Sequence, residues 1–309
     1  MLRSIRYIIL AFAVFYLLFV LVFVIVSLIS YNKNSSTYLA AFHDKITKAG
    51  SIKKKKIIIT GGSGCAFGIN SKRIKDSTQY EVINLGLHAD INYKFFLSSA
   101  FDVAQSGDVI VFIPEYELTV TRGNGYLALF NLLSINPQYF KYCGPEDYCN
   151  FPFYGGQPTK TSLSKMLLKS FNVQEESFYY RSAFNEDGDL TSHLGSKSNW
   201  KNCSSAKKVD IKGESGYFVD YINSFHAKCQ EKNITFFFSY PAIAASTIDA
   251  EYMKEFTKEM KACESFVMND ANRYFICDSL FIGTNYHLTA NGREVRTSLL
   301  IEDLKNKLK

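Results

Sequence analysis

The stretch Ile57-Ile58-Ile59-Thr60-Gly61-Gly62-Ser63-Gly64-Cys65-Ala66-Phe67-Gly68 decides how the chain is read. A continuous run of β-branched residues is the mark of a strand buried on both faces of a parallel sheet. Two glycines then permit a sharp turn, which leaves Ser63 at the carboxyl end of that strand. In open α/β sheets, ligands bind and chemistry occurs along that edge. Ser63 is therefore either a nucleophile or a turn residue, and the rest of the sequence has to decide.

Downstream, 80–86 reads as a second strand ending in Gly86, 90–105 as a helix with Phe95, Phe96, Leu97, Ala100 and Val103 on one face, and 109–114 as a third strand. Strand–helix alternation over such short links implies parallel strands with right-handed crossovers. The rhythm lapses at about 116–212, a segment rich in Gly, Pro, Asn and aromatic residues with one helical stretch near 161–171, read as an insertion at the ligand-binding edge. It returns with a helix at 214–231, a strand at 234–239, a helix at 248–263 and a strand at 273–277. A terminal helix from Thr289 turns Val295, Leu299, Leu300 and Leu304 inward.

Upstream, no residue from Tyr7 to Asn32 is charged, a longer run than the roughly 20 residues that cross a bilayer as a helix. A cleaved signal peptide has an apolar core of about 7–15 residues and a small-x-small cleavage site, which Ser-Leu-Ile-Ser-Tyr does not supply. Residues 1–32 are read as an uncleaved signal anchor and 33–56, ending in four lysines, as a polar tether. Residues 57–309 are read as the α/β domain. The basic bias across the anchor is weak. The simpler topology is a single-pass protein of the cell membrane with its domain outside the cytoplasm. A net charge of +6 over 309 residues carries no nucleic-acid-binding density.

Of the seven cysteines, Cys143 and Cys149 lie in one Gly/Pro-rich loop and suit a local disulfide; Cys203 with Cys229 and Cys263 with Cys277 are further pairings. Oxidised pairs fit an exported domain, and the alternative is seven reduced thiols, with Cys65 as a small packing residue. No C-x-x-C spacing points to zinc, and no metal or cofactor is expected.

A serine hydroxyl needs a base to take its proton and donors to hold the oxyanion. The candidate base is His287, in Thr284-Asn285-Tyr286-His287-Leu288-Thr289 before the last helix, and Gly86 ends the neighbouring strand, where a backbone N–H can approach unhindered. The glycine loop lacks the Lys-Ser/Thr of a P-loop and the spacing of a dinucleotide site, and Cys65 stands where a G-x-S-x-G elbow has its last glycine.

Taken in order, Gly61-Gly62-Ser63, Asn84-Leu85-Gly86, Ile113-Pro114-Glu115-Tyr116, Phe184-Asn185-Glu186-Asp187-Gly188-Asp189 and Tyr286-His287-Leu288 resemble the SGNH (GDSL-like) hydrolase superfamily. More narrowly, they are similar to its membrane-anchored, exported branch associated with bacterial cell-envelope polysaccharide. The resemblance spans about 57–300. It implies a three-layer α/β/α sandwich around a mostly parallel, flavodoxin-like sheet. It further implies Ser63 as nucleophile, the N–H groups of Ser63 and Gly86 as oxyanion donors, and His287 as base. The implied chemistry is ester hydrolysis or O-acyl transfer on acylated carbohydrate, in company with other envelope-polysaccharide proteins.

Two departures stand out. Thr284 occupies the place of the acid three residues before the His, which leaves a backbone carbonyl or a distant acid such as Asp278 to orient the imidazole. Pro114-Glu115 replaces the oxyanion Asn of the third block. Losing one oxyanion donor costs about 100- to 1,000-fold in turnover, so the alternative is a catalytically reduced scaffold that binds polysaccharide or an assembly partner. Glu115, Asp189 and His193 are the candidates for lining the substrate cleft. The acidic 184–189 segment otherwise reads as a surface turn, and it does not match a calcium loop.

Overall fold

Four strands, β1 (Lys56–Gly61), β2 (Glu81–Asn84), β3 (Val109–Ile113) and β4 (Thr235–Phe238), pair in parallel in the order β2-β1-β3-β4. The structure is a computed structural model that describes residues 2–33, 36–120, 126–148, 178–200 and 215–309. In β1, Ile57 pairs with Val82 on one side and Val109 on the other, and Gly61 stands opposite Ile113. Strands flank both of its edges and helices cover both of its faces, so its β-branched run is buried throughout.

Because side chains alternate along a strand, β1 feeds two cores. Ile58 joins Ile83, Ile110, Phe112, Phe236 and Phe238 on one face. Packed with them are Phe95 and Phe96 of α5 (Tyr93–Val103), Phe218 and Ile222 of α8 (Gly216–Glu231) and Phe256 of α9 (Ala250–Glu259). Ile57 and Ile59 join Val82, Val109, Val111 and Phe237 on the other face, packed with Ile74 of α4 (Ser71–Thr78) and Leu300, Ile301 and Leu304 of α10 (Ala290–Lys307). Helices thus cover both sheet faces, giving three layers. Side-chain caps fix where they start: Asn92 accepts from Phe95 N, Asn70 from Arg73 N and Thr289 from Gly292 N.

Several local expectations are corrected. The strand expected at 273–277 is only Phe275–Ile276 (β6), and it pairs with Ile243–Ala244 (β5) in a separate two-stranded sheet. Val295 is exposed at 42%. The inner face of α10 instead carries Arg293 and Arg296, with Arg296 Nη2 donating to Ser239 Oγ at 2.8 Å. Within the stretch read as a polar tether, Ala41–Ser51 folds as α2 and buries Ala41, Phe42, Lys45 and Ala49. Lys56 starts the sheet as half of a buried ion pair with Asp108 at 2.7 Å. Cys65, Cys143, Cys229, Cys263 and Cys277 are free thiols, so Cys143 is not disulfide-bonded and the two further pairings are not formed. Cys149, Cys203 and the helix expected near 161–171 lie outside the described residues.

The N-terminal helix α1 (Leu2–Lys33) is long and apolar enough to cross a membrane, and no residue of Ser4–Val22 is buried, although Phe19 packs partly against the core. Helix α7 (Tyr126–Ile135) packs against α1. Tyr38, in the turn that follows α1, sends its hydroxyl to Leu87 O at 2.5 Å, next to the end of β2.

Candidate active site

Strand β1 delivers Ser63 to the start of a short helix, α3 (Ser63–Gly68). Gly62, its N-cap, has an ordinary extended backbone; its lack of a side chain matters for space, because a Cβ there would lie 2.0 Å from Glu115 Oε2. Gly86 likewise permits close approach, since its Cβ would lie 2.4 Å from that of Cys65. His287 arrives from a small hairpin before α10: Ile282 N donates to His287 O at 2.8 Å, and Phe281 bridges Leu288. Thr284, in the place of the expected acid, closes the turn instead, its Oγ1 accepting from His287 N at 3.1 Å and Tyr286 N at 3.3 Å.

These elements bring Ser63 Oγ to 2.8 Å from His287 Nε2. The other ring nitrogen, Nδ1, lies 3.4 Å from the hydroxyl of Tyr179, so a phenol stands where a carboxylate was sought. Asp278 is elsewhere, accepting from Ser246 N at 3.1 Å. Phe67 lies flat against the imidazole, and burial, followed by repulsion from His193 and His88, holds the ring's pKa down at about 3. His287 is therefore neutral across the ordinary pH range, and its Nε2 lone pair can accept the Ser63 hydrogen bond.

Glu115, just beyond β3 and 1% exposed, is the third group at Ser63. Its Oε1 lies 3.3 Å from Ser63 Oγ and accepts from Gly64 N at 2.7 Å, while its Oε2 is buried without a partner. Burial pushes its carboxyl up to about 7 against the hydrogen bonds that favour the ionised form. Glu117, in the short helix α6 (Glu117–Val120), accepts from Tyr286 OH at 2.6 Å beside it.

The remaining expected residues are placed differently. The Gly86 N–H donates to Asn84 Oδ1 at 2.9 Å, and so it is occupied. Asp189 is fully buried and does not line a cleft: it accepts from Ser71 N and Oγ, from Asn84 Nδ2 at 3.0 Å and from Arg293 Nη2 at 2.9 Å. It ties α4, the β2 end and α10 together beneath the site. His193 is also fully buried, its ring 4.6 Å from that of Phe67, and burial and Arg293 hold its pKa down at about 4. Neither touches Ser63. Sequence reasoning missed Tyr179, which stands in the irregular segment with no pattern around it, and Phe67, which reads as an ordinary core residue.

Among the described residues no cluster of His, Cys, Asp and Glu is arranged to hold a metal. Compared with known proteins, the chain matches no family model and no curated sequence.

Proposed function

We propose that the protein is a membrane-anchored serine esterase or O-acyltransferase of SGNH type, acting on acylated cell-envelope polysaccharide outside the cytoplasm. The observation that carries this reading is the 2.8 Å contact between Ser63 Oγ and a neutral, buried His287 Nε2 at the carboxyl end of β1. In the reaction, Ser63 Oγ bonds to the acyl carbon while its proton passes to His287 Nε2 and the carbonyl electron pair moves to oxygen. Collapse breaks the ester bond, and the leaving alcohol takes the proton from His287. Water or a sugar hydroxyl then attacks the acyl-enzyme by the reverse path. The substrate class and the export rest on the ordered motifs and the N-terminal anchor; free thiols give export no support. A fluorophosphonate probe is expected to label Ser63 in the wild type and not in S63A. Equal labelling of the two sinks the reading.

A second reading, a catalytically reduced scaffold that binds polysaccharide or an envelope-assembly partner, is favoured by the occupied N–H of Gly86. It predicts that S63A and H287A leave the cellular phenotype intact.

A further inference from the structure

Ser63 Oγ stands between two acceptors, His287 Nε2 at 2.8 Å and Glu115 Oε1 at 3.3 Å, and a hydroxyl has one proton to give. For attack, that proton must point at His287. The Oγ lone pairs then face Glu115, and the contact between the two oxygens is attractive only if Glu115 brings a proton of its own. With Glu115 ionised, its Oε1 competes for the Ser63 proton and leaves the imidazole nothing to accept.

The supply of oxyanion donors points the same way. Gly86 N–H is spent on Asn84 and Gly64 N–H on Glu115. Of the three N–H groups of Ser63, Gly64 and Gly86, only that of Ser63 is left for the oxyanion, where acyl-transfer sites use two or more donors. Glu115 is buried against the nucleophile turn, with Oε2 unpartnered. The titratable groups facing it are Cys65 from α3, Tyr38 from the turn before α2, Glu117 from α6, and Tyr286 and His287 from the hairpin before α10. None of them is a cation at neutral pH. The nearby buried Lys45 directs its ammonium to Gly86 O and over the ring of Phe184.

Resting on the serine reading above, we propose that Glu115 is a catalytic residue that works as a neutral carboxylic acid. In that form it leaves the Ser63 proton to His287 and donates its own hydrogen bond to the oxygen that becomes negative. In its ionised form it holds Ser63 in an unreactive hydrogen bond and repels the developing charge. The site is thereby gated by one proton, the one that decides whether Ser63 Oγ donates to His287 or to Glu115.

The test is the rate at which a fluorophosphonate labels Ser63 in the full chain in detergent micelles, from pH 5.5 to 9. His287 stays neutral throughout, so it adds no break of its own. The wild-type rate is expected to fall about tenfold per pH unit above a break near 7. E115Q, neutral and of the same shape, should keep the acid-side rate up to pH 9. E115A, without the donor but also without the charge, should be about 100-fold slower than E115Q at every pH. The proposal is overturned if the wild-type rate climbs through pH 7, or if E115Q is as slow as E115A throughout. It is overturned equally if the break persists in E115Q, for it then belongs to Lys45, whose ammonium also titrates near 7. A wild-type rate that climbs through pH 7 overturns the proposal even where a variant fails to fold. Equal labelling of S63A removes the serine reading itself, whereas the other adverse results remove only the role of Glu115.

Discussion

Phe67 lies flat on the imidazole of His287, ring centroids 3.9 Å apart and planes 2° from parallel. The ring is thus held from its face by an apolar neighbour one turn beyond the nucleophile, and from its edge by the hydroxyl of Tyr179. The two supports are unequal. F67L keeps most of the buried volume, at a cost of about 1 kcal/mol in stability, but removes the flat surface. Displacing a reacting group by an ångström costs on the order of 100-fold, so F67L is expected to slow labelling of Ser63 by about 10- to 100-fold. Y179F removes the long contact to His287 Nδ1 and should cost only about 2- to 10-fold. A Y179F loss larger than that of F67L would contradict this ranking.

Asp189 acts through stability and not through the substrate. It is fully buried and paired with Arg293, which also donates from Nε to Ile69 O at 2.6 Å. Removing one partner of such a pair leaves an unmatched buried charge, a loss of about 3–5 kcal/mol. D189A is expected to show that loss in urea unfolding. Where the variant is still folded, its Ser63 labelling rate should stay near that of the wild type.

Lys45, 3% exposed, gives a signed pH effect on stability. Burial lowers its folded pKa from 10.5 to about 7, opposed by attraction to Asp189. Between about 7 and 10.5 the unfolded chain binds the proton that the folded chain has released, so this residue's contribution to stability rises with pH across that window and is lost as pH falls through 7. Buried Glu115 and the buried thiols titrate with the opposite sign, so the quantity to measure is the difference between wild type and K45M. That difference should shift in favour of the wild type from pH 7 to pH 10. A difference constant with pH would mean that Lys45 keeps its proton on folding.

The sheet was legible because burial on both faces imposes a pattern that nothing else produces: Ile57, Ile58 and Ile59 have no solvent-facing partner to interrupt them. Ser63 and His287 were legible because each sits where a strand or hairpin meets a helix, and such junctions leave turn residues in the sequence. The short β5 and β6 were not, since a two-residue bridge leaves no period to read. Helix α2 was hidden because its buried face includes a lysine, which reads as solvated. Asp189 reads as a cleft residue from the resemblance, or else as part of an acidic surface turn; neither reading shows its burial, because the partner that buries it, Arg293, lies on the last helix. Glu115 reads only as a candidate cleft residue: the missing Asn is plain, but the contacts of its carboxyl with Ser63 and Gly64 need distances.

The space above Gly62 has one tenant. A carboxyl at position 115 fills the volume that any side chain at 62 would need, although the two positions belong to different strand ends and share no local motif. Substitution histories at the two sites should therefore be linked and ordered. A chain that first gives up Glu115 for a smaller residue is released to accept alanine at 62, whereas one that tries the alanine first meets a clash at the nucleophile. Among descendants of this sequence, glycine at 62 should persist for as long as the acid at 115 is kept, whereas Gly61, whose Cβ would meet the Ile113 carbonyl, is held whatever stands at 115.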